Sequence, residues 1–257
     1  MKLLQNPMHL NGVNMYYIII REQKNTDIPR VSELVRNAYN SNILNAFYVA
    51  LFNEATFQIT ILFSAILFIF FHVKLIYCIF TLPLVLLLMY IIIFGAMTMK
   101  SAQLMYEKKP LKAWVAEAYE PYFFTKDPNN CWYKIIKEEE IENIDIKPDG
   151  RKRIIGTVAV MRHLHQPDWA WMFRLAVDKR YRRKGVALNL TKVVQEWCKN
   201  NKFNHVDLAM TECQEGARQL FDKAGFEIKQ LYHKKLFTRA YMMQMYLLTC
   251  EVRPTFN

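Results

Sequence analysis

Cysteine is scarce in this chain and poorly spaced for a structural role. The five present, Cys78, Cys131, Cys198, Cys213 and Cys250, are odd in number, lie far apart and form no C-x-x-C pair. A disulfide framework and a structural zinc site are therefore not expected. Nucleic-acid modules are missing too: there is no zinc-finger spacing, no RNA-recognition aromatic motif and no basic region with heptads. Met1–Val13 holds one lysine and no apolar core, unlike a signal peptide. Lys2 excludes N-myristoylation, and the final RPTFN matches no prenylation or retention signal. Repeats and low-complexity segments are absent. Finally, charge nearly vanishes from Ile59 to Met97, where only His72 and Lys74 interrupt an apolar run.

The 257 residues are 53% hydrophobic with a formal net charge of +11. With nucleic acid set aside, that balance points to a phosphorylated cofactor or an anionic membrane surface. As one helix, Phe57–Met97 would be about 60 Å long, twice a hydrocarbon core of roughly 30 Å. Lys74 at mid-membrane would cost roughly 2.5–3.5 kcal/mol. A hairpin removes both problems, with arms Phe57–Phe71 and Leu75–Met97, Lys74 at the tip and Pro83 kinking the second arm. The first arm is short enough to be re-entrant. A buried hairpin of a soluble protein is the alternative, disfavoured because both arms are apolar all round. Arg21, Lys24, Arg30 and Arg36 before the run, and Lys100, Lys108, Lys109 and Lys112 after it, put both ends in the cytosol. Membrane lipid is thus an expected partner. The expected division is residues 1–54, the insertion 55–98, and the remainder 99–257.

Outside the insertion, strands and helices alternate. NMYYIIIREQ reads as a strand, and TDIPRVSELVRNAY as a helix with Pro29 in its first turn. CWYKIIK, RIIGTVAVMR and WAWMFRLAV are strands, and EEEIENIDIKPDGRK is a polar loop. VALNLTKVVQEWCKNN is a helix, HVDLAMT a strand, and QEGARQLFDKAGF a helix ended at Gly225. FEIKQLYHKKL and AYMMQMYLLTCEV close the chain as strands.

Between the WMFRLAV strand and the following helix lies Arg182-Arg183-Lys184-Gly185-Val186-Ala187. It resembles the Q/R-x-x-G-x-G/A acyl-CoA loop of the GCN5-related N-acetyltransferases. ARQLFDKAGF matches that family's A-x-x-L-Y-x-x-x-G-F helix except at Phe221. The insertion after the first helix is similar to that of the membrane-bound N-acetyltransferases that include aspartate and cysteine-S-conjugate N-acetyltransferases. The resemblance implies an α/β (α+β) fold with a mixed central sheet flanked by helices and a hydrophobic hairpin after the first helix. It further implies acetyl-CoA as co-substrate with no metal, an amine acceptor, and the endoplasmic reticulum membrane with a cytosolic catalytic domain.

The physics of the loop agrees. A helix N-terminus offers unpaired N–H groups and about half a positive charge, and glycine lets backbone approach a phosphate. Cofactor contacts are expected from Leu175, Ala176, Val177, Arg182, Arg183, Lys184, Gly185, Val186, Ala187 and Gln214. The family's leaving thiolate is protonated by a tyrosine where this chain has Phe221; Tyr232 is the substitute considered. Glu212, after HVDLAMT, is a candidate base. Arg174, in an apolar strand, faces either an acceptor carboxylate or a structural acid. His163, His165 and Asp168 read as a surface turn rather than a metal site. A CoA-binding protein with lost catalysis is the second reading, because of Phe221.

Overall fold

Val13–Glu22, rich in isoleucine and tyrosine, forms strand β2, preceded by the two-residue β1, His9–Leu10. The computed structural model describes residues 9–10, 13–72, 74–106, 109–121, 127–140, 151–212, 214–235 and 242–252. Cys213 and residues 141–150 of the expected polar loop lie outside them, as does Lys108.

The remaining strands are β3 (Lys112–Glu120), β4 (Trp132–Lys137), β5 (Arg151–Arg162), β6 (Trp169–Val177), β7 (His205–Thr211), β8 (Glu227–Lys235) and β9 (Met242–Glu251). They form one mixed sheet in the order β1-β2-β3-β5-β6-β7-β9-β8, with β4 added to β2. Pairing of β2 with β4 is parallel, Met15 opposite Trp132 through Ile20 opposite Lys137. The other edge of β2 pairs antiparallel with β3, a strand that the sequence reading passed over as a basic flank. Six consecutive residues of β3, Ala113–Ala118, are buried, so the alternation that marks a half-exposed strand is missing.

Helices cover both faces. On one, α5 (Val186–Asn200) and α6 (Glu215–Lys223) bury Val186, Leu190, Val194 and Phe221 against Ile155, Val158, Met172 and Leu208. Close approach of α5 depends on Gly156, where a Cβ would lie 3.1 Å from Leu190 Cδ1 and 3.3 Å from Val186 Cγ1. On the other face, α1 (Ile28–Asn40) presents Val31, Leu34 and Val35 to Val115, Ile154 and Ala176. A buried ion network holds the start of α1: Arg21 bonds Asp27 at 2.7 Å and Glu117 at 3.3 Å.

Between α1 and β3 run α2 (Ile43–Leu51), α3 (Glu54–Phe71) and α4 (Thr81–Tyr106). The chain turns at 72–74 as expected: His72 ends α3 with a left-handed φ of 51°. Ser64 Oγ and Thr81 Oγ1 are hydrogen-bonded at 2.7 Å, and Thr56 meets Met89 Sδ at 3.7 Å, which makes α3 and α4 antiparallel. Two details differ from expectation. The second arm begins as a 3-10 turn, Leu75–Phe80, before α4 proper, Pro83 falls in the first turn of α4, where proline is tolerated, and α4 runs on to Tyr106. And a further helix, α2, stands between α1 and the apolar run and packs Ile43, Ala46 and Ala50 on Met89 and Ile93. The most apolar windows of α3 and α4 have mean hydropathies of 1.9 and 2.4, yet only 11% and 22% of them is buried. The last turn of α4 returns to the sheet, where Leu104 packs with Ala113, Ala159 and Phe173.

Candidate active site

A fork in the sheet defines the site. β6 and β7 are paired in parallel only at Trp169–Trp171 opposite His205–Asp207. Both strands continue, β6 to Val177 and β7 to Thr211, without a shared ladder. On its other side β6 carries an irregularity against β5: Thr157 pairs with Ala176 but Ala159 pairs with Phe173. The extra residue falls at Arg174–Leu175, and Arg174 has a left-handed φ of 57°. The bulge therefore lies where β6 has already left its ladder with β7. Strained backbone of this sort clusters at functional sites.

The fork leads to the α5 N-terminus. Asp178 caps a single turn, Lys179–Tyr181, by accepting from Arg180 N–H at 3.1 Å. Arg183 (φ 65°) and Gly185 (φ 80°) are both left-handed, the local geometry that turns backbone N–H groups into an anion-binding concavity. The first turn of α5 adds N–H groups that have no acceptor within the helix. Gly185 is exposed.

A buried carboxylate stiffens this loop. Glu120, at the end of β3, accepts from Tyr133 Oη at 3.1 Å and from Tyr181 Oη. Tyr181 is 1% exposed, and burial followed by Glu120 raises its phenol pKa above the ordinary value. Sequence reasoning missed this network because its members come from β3, β4 and the loop. Two acids in a buried strand were the available signal.

The expected site residues divide. Leu175 and Val177 pack toward α5, and Ala176 toward α1. Val186 is buried, while Ala187 is half-buried. Arg183 is exposed beside Gly185. Arg182 Nη2 donates to Ser41 Oγ at 3.1 Å. Lys184 Nζ donates to the Asn129 and Cys131 carbonyls at 2.6 and 2.8 Å, bracing the loop against the start of β4. Gln214 stands at the α6 N-terminus, its side chain accepting from Thr211 N–H at 3.4 Å.

Arg174 has a partner neither expectation named. Nε donates to Leu104 O at 2.8 Å and Nη2 to Met105 O at 3.0 Å. These carbonyls end α4, where a cation is favoured by the helix dipole. Burial lowers the guanidinium pKa from its ordinary value. Glu212 accepts from Gln244 N–H at 3.3 Å and so extends the β7–β9 ladder. Tyr232 lies on edge strand β8 opposite Met245, which on β9 is opposite Thr211. That is two strand spacings, about 10 Å, from the fork edge of β7. Phe221 is 5% exposed and edge-on to Phe226 at 5.6 Å. The His163 and His165 rings are 6.0 Å apart, and no group of three metal-ligating side chains forms among the described residues.

Residues 105–226 match the model of the acetyltransferase (GNAT) family. Over that span, a little under half of its length, the chain carries a GNAT acetyltransferase domain. The match begins in the last turn of α4 and takes in the fork, the α5 loop and α6. N-acetyltransferase 8B of Mus musculus is 32% identical over 68 residues, 26% of this chain and 29% of that relative, so the likeness spans under a third of its length. Among solved structures, a protein from Streptococcus mutans is covered to 99% and covers 91% of this chain at 13% identity, TM-score 0.48. A putative streptothricin acetyltransferase from Bacillus anthracis, in complex with acetyl coenzyme A, is 16% identical with a TM-score of 0.37, covering 56% of this chain and 64% of that one. In the GNAT domain of this chain, Phe221 stands where the family motif carries tyrosine.

Proposed function

We propose that this protein transfers acetyl from acetyl-CoA to an amine, from a site held at a membrane surface by α3 and α4. The observation that carries the reading is the open fork between β6 and β7, ending at the α5 N-terminus. Pyrophosphate at Arg182–Ala187 would meet free N–H groups and a positive dipole. The pantetheine arm would run along the unpaired edge of β6, and the bulge peptide would polarise the thioester carbonyl. The low burial of α3 and α4 supports insertion in lipid. About 27 Å of helix in α3 matches a hydrocarbon core of roughly 30 Å. The shared packing of α1 and the α4 end on one sheet face supports a single side for the GNAT domain; the basic flanks of the apolar run favour the cytosol as that side, and the endoplasmic reticulum is taken from the family resemblance alone. The acceptor is a small amino-acid-like amine or a protein lysine.

A second reading, a tethered CoA-binding protein without turnover, is favoured by Phe221, whose ring offers no proton to a leaving thiolate. Thiol release from acetyl-CoA across a panel of amines separates the two. Amine-dependent release supports transfer. Saturable binding with no release supports the second reading.

A further inference from the structure

Asp207 occupies the crotch of the fork: its pairing with Trp171 is the last before β6 and β7 part. Its neighbours Val206, Leu208 and Met210 all face the α5 side, so Asp207 projects from the opposite face. There Thr249 lies directly across on β9. Lys229 Nζ is 3.4 Å from Asp207 Oδ2 and 3.9 Å from the centre of the Trp169 ring. His205, two residues back on the same face, lies 4.2 Å ring to ring from Trp169. Asp207 is 0% exposed. Even so, its Oδ1, Thr249 Oγ1 and His205 Nδ1 are all buried without a hydrogen-bond partner among the described residues.

A buried carboxylate oxygen without a donor is costly, and three orphaned polar atoms in one cluster are rare in a folded protein. An ammonium group supplies three donors and the charge that a carboxylate favours. Two residues beyond Trp171 along β6, about 7 Å, begins the bulge that holds the thioester in the reading above. An amine, or an amine and one water, spans that distance.

We propose that Asp207, with Thr249 beside it, receives the ammonium of the acetyl acceptor and takes its proton. This rests on the N-acetyltransferase reading. The ammonium passes one proton to Asp207 Oδ1, directly or through a water. The freed nitrogen lone pair attacks the thioester carbon, forming C–N. The tetrahedral adduct collapses with cleavage of C–S, and its remaining excess N–H proton goes through solvent to the thiolate, giving amide and CoA thiol. Asp207 then returns its proton to water.

The test uses the full chain in detergent, with butylamine, protonated at neutral pH, and hydroxylamine, which is not. Acetyl-CoA binding is measured first by calorimetry. For Asp207→Asn the expected result is unchanged acetyl-CoA affinity, thiol release with butylamine lowered about 10²–10⁴-fold, and release with hydroxylamine little changed. Should that variant not fold, Asp207→Glu, which keeps the charge but shifts it by one methylene, is expected to show the same selectivity. Equal losses with both nucleophiles, undiminished release with butylamine, or binding of acetyl-CoA by the native chain with no release to either nucleophile overturns the assignment. Failure of the native chain to bind acetyl-CoA overturns the N-acetyltransferase reading and this proposal with it.

Discussion

Gly185 has space around it but not freedom. A Cβ there would meet only Asn189 Nδ2 at 3.7 Å and Ile135 Cδ1 at 3.9 Å, ordinary contacts, yet its φ of 80° strains any other residue. Asparagine tolerates that region better than most. Gly185→Asn and Gly185→Asp therefore share most of the strain and differ chiefly in charge. Asp is expected to abolish acetyl-CoA binding and Asn to weaken it, with similar melting temperatures; equal affinities in a calorimetric titration would remove the loop from the binding site. Phe221→Tyr adds a hydroxyl in the packed layer beside Phe226. With no partner there, it is expected to cost about 1–3 kcal/mol of stability, read by denaturant melting. Turnover is expected to rise or stay unchanged, because the motif's own donor is restored; a drop beyond about tenfold in a folded variant means that the phenyl ring serves packing or the acceptor wall instead. Both residues were legible in the sequence because a helix-start glycine and a motif departure are local signals. Asp207 was equally visible, as an acid in the apolar strand HVDLAMT, but nothing local says that one of its oxygens is orphaned.

At the scale of elements, Arg174 joins α4 to the bulge. An arginine in an apolar strand signals the need for a partner, but the carbonyls that Arg174 caps lie about seventy positions earlier. Such pairings follow from the tertiary path alone. Arg174→Met leaves those carbonyls unpaired, at about 1–3 kcal/mol each. Amide exchange at residues 101–106 is expected to quicken while the core of β5 stays protected. Strand β3 escaped notice for the complementary reason: buried on both faces, it has no period to read. Its Glu117 joins Arg21 and Asp27. Burial alone would raise the Asp27 carboxyl pKa, but Arg21 and the Lys24 N–H outweigh it and hold it below the ordinary value. A carboxyl depressed in the folded state contributes stability that is present above its unfolded pKa of about 3.9 and is lost as pH falls through the lower folded value. The native chain is thus expected to lose melting temperature more steeply below about pH 4 than Asp27→Asn. Parallel curves would mean that this ion pair contributes no pH dependence.

For the whole molecule, the insertion is the most consequential feature, and its outline was legible from charge depletion and flanking bases. Where the second arm becomes α-helical was not, because the 3-10 turn Leu75–Phe80 and α4 share one apolar composition, and α2, just before the run, carries no charge to set it apart. The sheet takes β2 from before the insertion and every later strand from after it, and open sheet edges do not cross lipid. Single reporter cysteines at Asn25 and Lys152 in a cysteine-free background are therefore expected to label from the same, cytosolic face of sealed vesicles. Lys74, at the tip of the hairpin, is expected to resist labelling from that face. Opposite faces for Asn25 and Lys152 would contradict the hairpin topology. The central question for the molecule is whether the fork receives an acyl-CoA. Titration of acetyl-CoA into the full detergent-solubilised chain, followed by calorimetry, decides it: saturable one-to-one binding is predicted, and no heat of binding at any concentration of cofactor would contradict it.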